Sequence, residues 1–126
     1  MPSEEINKIK NRDMLTHKDY CDDDTCAALK ELGYNYVSDY YYESIGQMIV
    51  NRPTITLWNA QKWLRKEKGV IVGLHNNFTT REFMYYISTW EEDICTGNKY
   101  TDYEDALSDG IKEAVRLILE GKLCLD

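Results

Sequence analysis

Residues 101–121 read TDYEDALSDGIKEAVRLILEG, and the division of that stretch into two faces decides the fold. On a helical wheel at about 100° per residue, Tyr103, Ala106, Leu107, Gly110, Ile111, Ala114, Val115, Leu117 and Ile118 gather within roughly half the circumference. Asp105, Asp109, Lys112, Glu113, Arg116 and Glu120 fill the rest. A helix so divided must cover an apolar layer. Thr101-x-x-Glu104 has the form of a capping box and is expected to open it. Ala106, Gly110 and Ala114 make a small-residue row at i, i+4, i+8 that lets the backbone approach a sheet closely.

The layer beneath is expected from the segments upstream. Val70-Ile71-Val72-Gly73-Leu74 is a β-branched run, and Asn76-Asn77 begins a turn. Phe83 to Trp90 alternates as a strand does, with Phe83, Tyr85 and Ile87 on one face and Met84, Tyr86 and Trp90 on the other. Glu91-Glu92-Asp93 interrupts it. A third strand is expected between Ile94 and Tyr100, split or ended by Gly97-Asn98.

Farther upstream, Thr54 or Thr56 can cap a helix that runs to about Lys68 and stops at Gly69. Tyr40-Tyr41-Tyr42 and Gln47-Met48-Ile49-Val50 flank Ser44-Ile45-Gly46 in a hairpin pattern, and Pro53 is expected to stop the strand. Asp22-Asp23-Asp24 signals a short helix ending at Gly33. Residues 1–12 form a flexible charged segment, and Asp13 to Tyr20 a short extended one. The reading is one α+β domain over 13–126: an antiparallel sheet of three or more strands with an added hairpin, packed on one face by two or three helices.

At 126 residues the chain can bury a core without metal or disulfide staples. Its formal charge of -7 repels nucleic acid and anionic membrane on average. No apolar run approaches the ~20 residues that cross a bilayer, and MPSEEINKIKNRD lacks the apolar core of a signal peptide, so a cytoplasmic location is expected. Ten tyrosines, five of them between Tyr34 and Tyr42, suit both strands and binding surfaces.

Three blocks carry a resemblance: DTCAALKELGY at 24–34, PTITLWNAQKWLRK at 53–66 and YTDYEDAL at 100–107. They resemble a family of small uncharacterised proteins of phages and mobile elements in gut Bacteroidetes-type bacteria. The family pattern runs T-A-x-L-L-K-E-K-G-F, then P-T-x-x-L-x-Q-K-W-L-R-E, then Y-x-T-Y-E-E-A-L. The central block is the most specific. Cys26, Ala28 and Ser108-Asp109 depart from the pattern. The resemblance implies fold and genetic context, and no activity comes with it.

Candidate chemistry is sparse. Cys21, Cys26, Cys95 and Cys124 have no framework spacing and are expected to be reduced. His17-x3-Cys21-x4-Cys26 offers three metal ligands, with Cys95 or Cys124 to close the set, but lacks the paired spacing of structural zinc sites. A nucleophilic cysteine needs a histidine partner, and only His17 and His75 exist. Asp105, Asp109 and Glu113 lie at i, i+4, i+8, and Glu91-Glu92-Asp93 sits at a strand end; with Lys112 and Arg116 interleaved, a solvated face is the simpler reading. Seven scattered glycines form no phosphate loop.

The segment 52–68 is different, with five basic residues against one acidic. On its wheel Leu57, Ala60, Trp63 and Leu64 face the core. Trp58 falls outside that arc beside Lys62 and Arg65, its i+4 and i+7 neighbours. An aromatic flanked by cations suits a binding patch; the alternative is that Trp58 packs beneath the tyrosine-rich hairpin. The expectation is a small non-enzymatic accessory protein, without cofactor or metal, that binds another protein through Trp58, Lys62 and Arg65. A nucleic-acid-binding module with a helix–three-strand–helix core is the first alternative, set back by Asp102, Glu104 and Asp105 where phosphate contacts belong. A small metal-dependent hydrolase or nuclease is the second.

Overall fold

The computed structural model of the protein describes residues 17–35, 39–45 and 48–123. Its elements follow the expected order: α1 (Asp23–Glu31), a hairpin of β1 (Asp39–Ile45) and β2 (Met48–Thr54), then α2 (Leu57–Trp63), continued by a π turn over Leu64–Lys68. The meander β3 (Val70–Asn77), β4 (Glu82–Thr89) and β5 (Asp93–Tyr100) comes next, and α3 (Tyr103–Leu119) closes the chain. The sheet is antiparallel with strand order β3-β4-β5, and β1 pairs with β2 as a separate two-stranded ribbon. This is an α+β fold. Among the described residues no helix is long and apolar enough to cross a membrane.

The small-residue row seats α3 on the sheet. Ala106 and Ala114 are fully buried. A β-carbon placed on Gly110 would lie 2.9 Å from Val72 Cγ1 and 3.0 Å from Tyr85 Cβ, so glycine is what allows the helix down onto β3 and β4. Leu107, Ile111 and Val115 meet Val70, Val72 and Ile87 in the core, together with Leu29 of α1 and Leu57, Ala60 and Leu64 of the second helix. Tyr103 departs from the wheel: at the first turn it stays 46% exposed, touching the sheet through an edge contact to Phe83 at 5.5 Å.

Three local expectations are corrected by backbone pairing. Asp102 rather than Thr101 caps α3, accepting from the Asp105 amide at 3.1 Å, because a carboxylate one residue on reaches the same orphan donors. Pro53 does not stop its strand; it pairs with Tyr40 inside β2, which a two-stranded ribbon permits because each strand has an unpaired edge. Gly97-Asn98 neither splits nor ends β5. Met84 pairs with Lys99 and Tyr86 with Thr96, so three steps of β5 oppose two of β4 and the dipeptide is absorbed in a bulge. There the Tyr85 ring lies across Gly97, where any β-carbon would come within 2.0 Å of it.

Before α1, residues His17–Asp19 form a 3-10 turn instead of an extended segment, and only Tyr20 bridges, to Thr56. The hairpin turn at Gly46 and residues 1–16, including the flexible segment expected at 1–12, lie outside the described residues.

Capping carboxylates tie the helices together. Asp22 accepts from the Thr25 amide at 2.8 Å and pairs with Lys112 of α3 at 2.5 Å. Asp102 pairs with Lys18 at 3.0 Å. Burial pushes the Asp22 carboxyl up, but Lys112 and Thr25 outweigh it and hold its pKa below the usual range. Lys18 and the Asp105 amide do the same for Asp102. A carboxyl whose pKa is depressed by folding contributes stability above its unfolded pKa of about 4, lost as pH falls through the folded value. Stability to urea should therefore drop on acidification below about pH 4. Asp22→Asn with Asp102→Asn, which keeps both caps while removing both charges, should flatten that drop; an unchanged pH slope would count against this assignment.

Candidate functional site

The second helix is fixed at its start by pairing and capping. Cys21 N donates to the Ile55 carbonyl at 2.8 Å, and Thr56 Oγ1 accepts from the Asn59 amide at 3.3 Å. From that start Leu57, Ala60, Trp63 and Leu64 are all buried, the face expected from the wheel. Trp63 meets Tyr34 edge-on at 5.5 Å, with Lys68 Nζ over its ring at 5.6 Å. Gln61 Nε2 donates to the Val72 carbonyl at 2.6 Å, so the helix side also satisfies an acceptor of edge strand β3.

Trp58 stands apart from this packing. It is 45% exposed, and Lys62 and Arg65 are exposed with it. Neither cation has an ion pair with another described residue. Lys62 lies one α-turn beyond Trp58. Arg65 falls in the π turn, where a 100° wheel no longer holds, so its bearing relative to Trp58 differs from the i+7 ideal. Gly69 ends the helix at φ 67.

Trp90 adjoins this end and was not visible as part of the surface. The alternating pattern put it inside the strand, but β4 ends at Thr89 and Trp90 turns out, 74% exposed. Its Cδ1 lies 3.8 Å from the β-carbon position of Gly69. The adjacent acidic pair Glu91-Glu92, poor strand-forming chemistry, is the signal that the strand stops early.

The other candidates are engaged elsewhere. Asp109 accepts from Tyr100 Oη at 2.6 Å, which lifts the phenol pKa to about 12. Glu113 pairs with Arg116, and Asp105 approaches Lys18 at 3.8 Å. His75 is exposed and stacks on Tyr86 at 4.5 Å. Cys21 and Cys26 are buried and Cys95 is half-buried, all three as free thiols; Cys124 lies outside the described residues. Among the described residues no three His, Cys, Asp or Glu side chains converge as metal ligands. A groove of about 420 Å³ runs between α1 and α3 over Ala28, Val115 and Leu119, but its cations Lys112 and Arg116 are held by Asp22, Glu113 and Glu120.

Comparison of the chain with protein-family models, with curated proteins and with solved structures finds no match.

Proposed function

We propose that the protein is a non-enzymatic accessory protein that binds another protein through the outer face of its second helix, with Trp58 as the apolar anchor and Lys62 and Arg65 as the cations that select an acidic partner. The observation that carries this is the exposure of Trp58 on a helix whose other large apolar residues are all buried. Holding so large a ring half in water gives up burial that the fold does not use, and such rings are enriched where partners dock. The partner chemistry follows from charge: 52–68 is a basic segment on a chain of net charge -7. The resemblance of the three sequence blocks supports an origin in a phage or mobile element, and the N-terminal sequence, without an apolar signal core, supports action in the cytoplasm.

Lys62→Glu combined with Arg65→Glu tests this reading. Two reversals at exposed sites, each worth roughly 0.5–1 kcal/mol, should weaken capture of an acidic protein about tenfold. Stability to urea should stay within about 0.5 kcal/mol of wild type, as surface changes usually do. Equal capture by wild type and variant would overturn the assignment. Firm, salt-dependent retention on heparin, lost in the variant, would transfer the surface to nucleic acid instead.

A further inference from the structure

We propose that the outer edge of β3 between Leu74 and Asn76 is a strand-addition site, and that it takes an extended, acidic segment of a partner protein. The proposal rests on the reading of Trp58, Lys62 and Arg65 as a protein-binding face and adds the main-chain groups with which the partner pairs.

The direction of the edge follows from one hydrogen bond. Gln61 Nε2 donates to the Val72 carbonyl at 2.6 Å, so the main-chain groups of Val72 point away from β4. In an antiparallel ladder that direction alternates from residue to residue. Asn77, five residues on, accordingly turns its carbonyl inward, where it accepts from the Arg81 amide at 2.8 Å. By the same alternation Leu74 and Asn76 send amide and carbonyl outward. Among the described residues nothing bonds to them there.

The two edges of the sheet are not alike. β5 carries two register irregularities against β4 and the charges of Asp93 and Lys99, devices that discourage added strands. β3 pairs with β4 without a break from Val70 to Asn77, and Leu74-His75-Asn76 holds no carboxylate, lysine or proline.

Both ends of this edge carry anchoring chemistry. Phe78 directly follows β3 and is 89% exposed. Its turn is tied down: Asn77 Oδ1 accepts from the Thr79 amide at 2.9 Å and from the Thr80 amide at 3.2 Å. Arg81 closes the turn at φ 58, a conformation that residues other than glycine adopt rarely. A ring presented on so fixed a turn loses little further freedom on binding. Asn76, Phe78, Arg81 and Phe83 line a groove of about 410 Å³ beside it.

At the other end Gln61 closes the edge at Val72 and turns an incoming strand out over α2. Trp58 lies one helical turn before Gln61 and Lys62 directly after it, both on its solvent side. Lys62 and Arg65, without ion pairs to other described residues, select carboxylates there. An extended segment of about seven residues covers the stretch from Phe78 back to Val72. Its apolar end meets Phe78, its main chain pairs with Leu74 and Asn76, and its acidic end reaches the basic face. Main-chain pairing supplies affinity in such complexes and the side chains supply selectivity.

The probe is a displayed library of random seven-residue peptides, selected on the full chain with Asn76→Pro as the counter-selection. Proline at 76 removes an outward amide and leaves the ladder to β4 in place. Peptides with an apolar residue at one end and carboxylates at the other should be enriched. At saturation the most enriched peptide should slow hydrogen exchange at the Leu74 and Asn76 amides at least about tenfold. Methylating its alternate main-chain nitrogens should weaken binding at least about tenfold in one register and leave it unchanged in the other, because only one set faces β3. Should Asn76→Pro fail to fold, selection on the wild-type chain followed by the two methylated peptides reads the same contact.

No enrichment, unchanged exchange at Leu74 and Asn76, or methylation without effect in either register would each overturn the proposal. So would protection of those amides in the protein alone that fades on dilution, which gives the edge to a second copy. Lys62→Glu with Arg65→Glu separates the two readings. Capture that needs both cations but tolerates methylation in both registers keeps the Trp58 face and sinks strand addition. Capture blocked by methylation but untouched by the charge reversal keeps the edge and removes the basic face, together with the acidic character of the partner.

Discussion

Gly110→Leu is expected to cost about 2–3 kcal/mol of folding stability, at the upper end of what overpacking of a close contact usually does. The atoms that block the new side chain cannot retreat. Val72 Cγ1 at 2.9 Å belongs to a buried side chain of β3, and Tyr85 Cβ at 3.0 Å is fixed to the backbone of β4. The helix must lift from the sheet, thinning the contacts of Ile111 and Ala114 on either side. Gly110→Ala separates the two opposing effects. Alanine gains about 1 kcal/mol of helix propensity, yet its β-carbon already meets both contacts, so this variant should fall at or modestly below wild type. Urea unfolding monitored by circular dichroism measures both. A leucine variant as stable as wild type would mean that α3 does not sit on the sheet through this residue.

The second large effect is a contrast between two tryptophans five positions apart on one helix. Trp63→Ala is expected to cost about 3–5 kcal/mol, as truncation of a buried tryptophan does. Trp63 is 6% exposed and holds Tyr34 edge-on at 5.5 Å, so its loss opens a cavity and removes an aromatic pair. Trp58→Ala is expected to cost only about 1 kcal/mol, because nearly half of the ring is already in water. Its effect belongs on binding instead. An aromatic anchor at an interface is worth about 2 kcal/mol or more, a loss of roughly thirtyfold in affinity for an acidic partner. Equal stability costs for the two variants would show that Trp58 is a packing residue. A stable Trp58→Ala protein that captures its partner undiminished would remove it from the binding surface.

The contacts behind these effects differ in how much of them the chain announces. The helices are legible in the sequence because their determinants are local. Asp22 and Thr56 cap within three residues, Gly33 and Gly69 end helices at positive φ, and the apolar spacing of Leu57, Ala60, Trp63 and Leu64 fixes the buried face. Strand existence was legible too, since alternation over Phe83–Ile87 needs only a period of two. Ladder details were not. Whether Pro53 ends a strand depends on an unpaired edge, and whether Gly97-Asn98 breaks one depends on Tyr85 lying across it. Likewise the spacing of Cys21 and Cys26 gives no framework, and only the fold brings Thr54 Oγ1 to 3.6 Å from Cys26 Sγ.

What the sequence by itself determined is therefore the set of elements, their order, the α+β class and the basic character of 52–68. Those follow from periodicity, caps and charge, each readable within a few residues. Only the tertiary structure decided that Trp58 stays half in water, that Trp90 turns out beside Gly69, and that Thr54 reaches Cys26. Those outcomes depend on which distant surface reaches a side chain first, and no local pattern carries that distance.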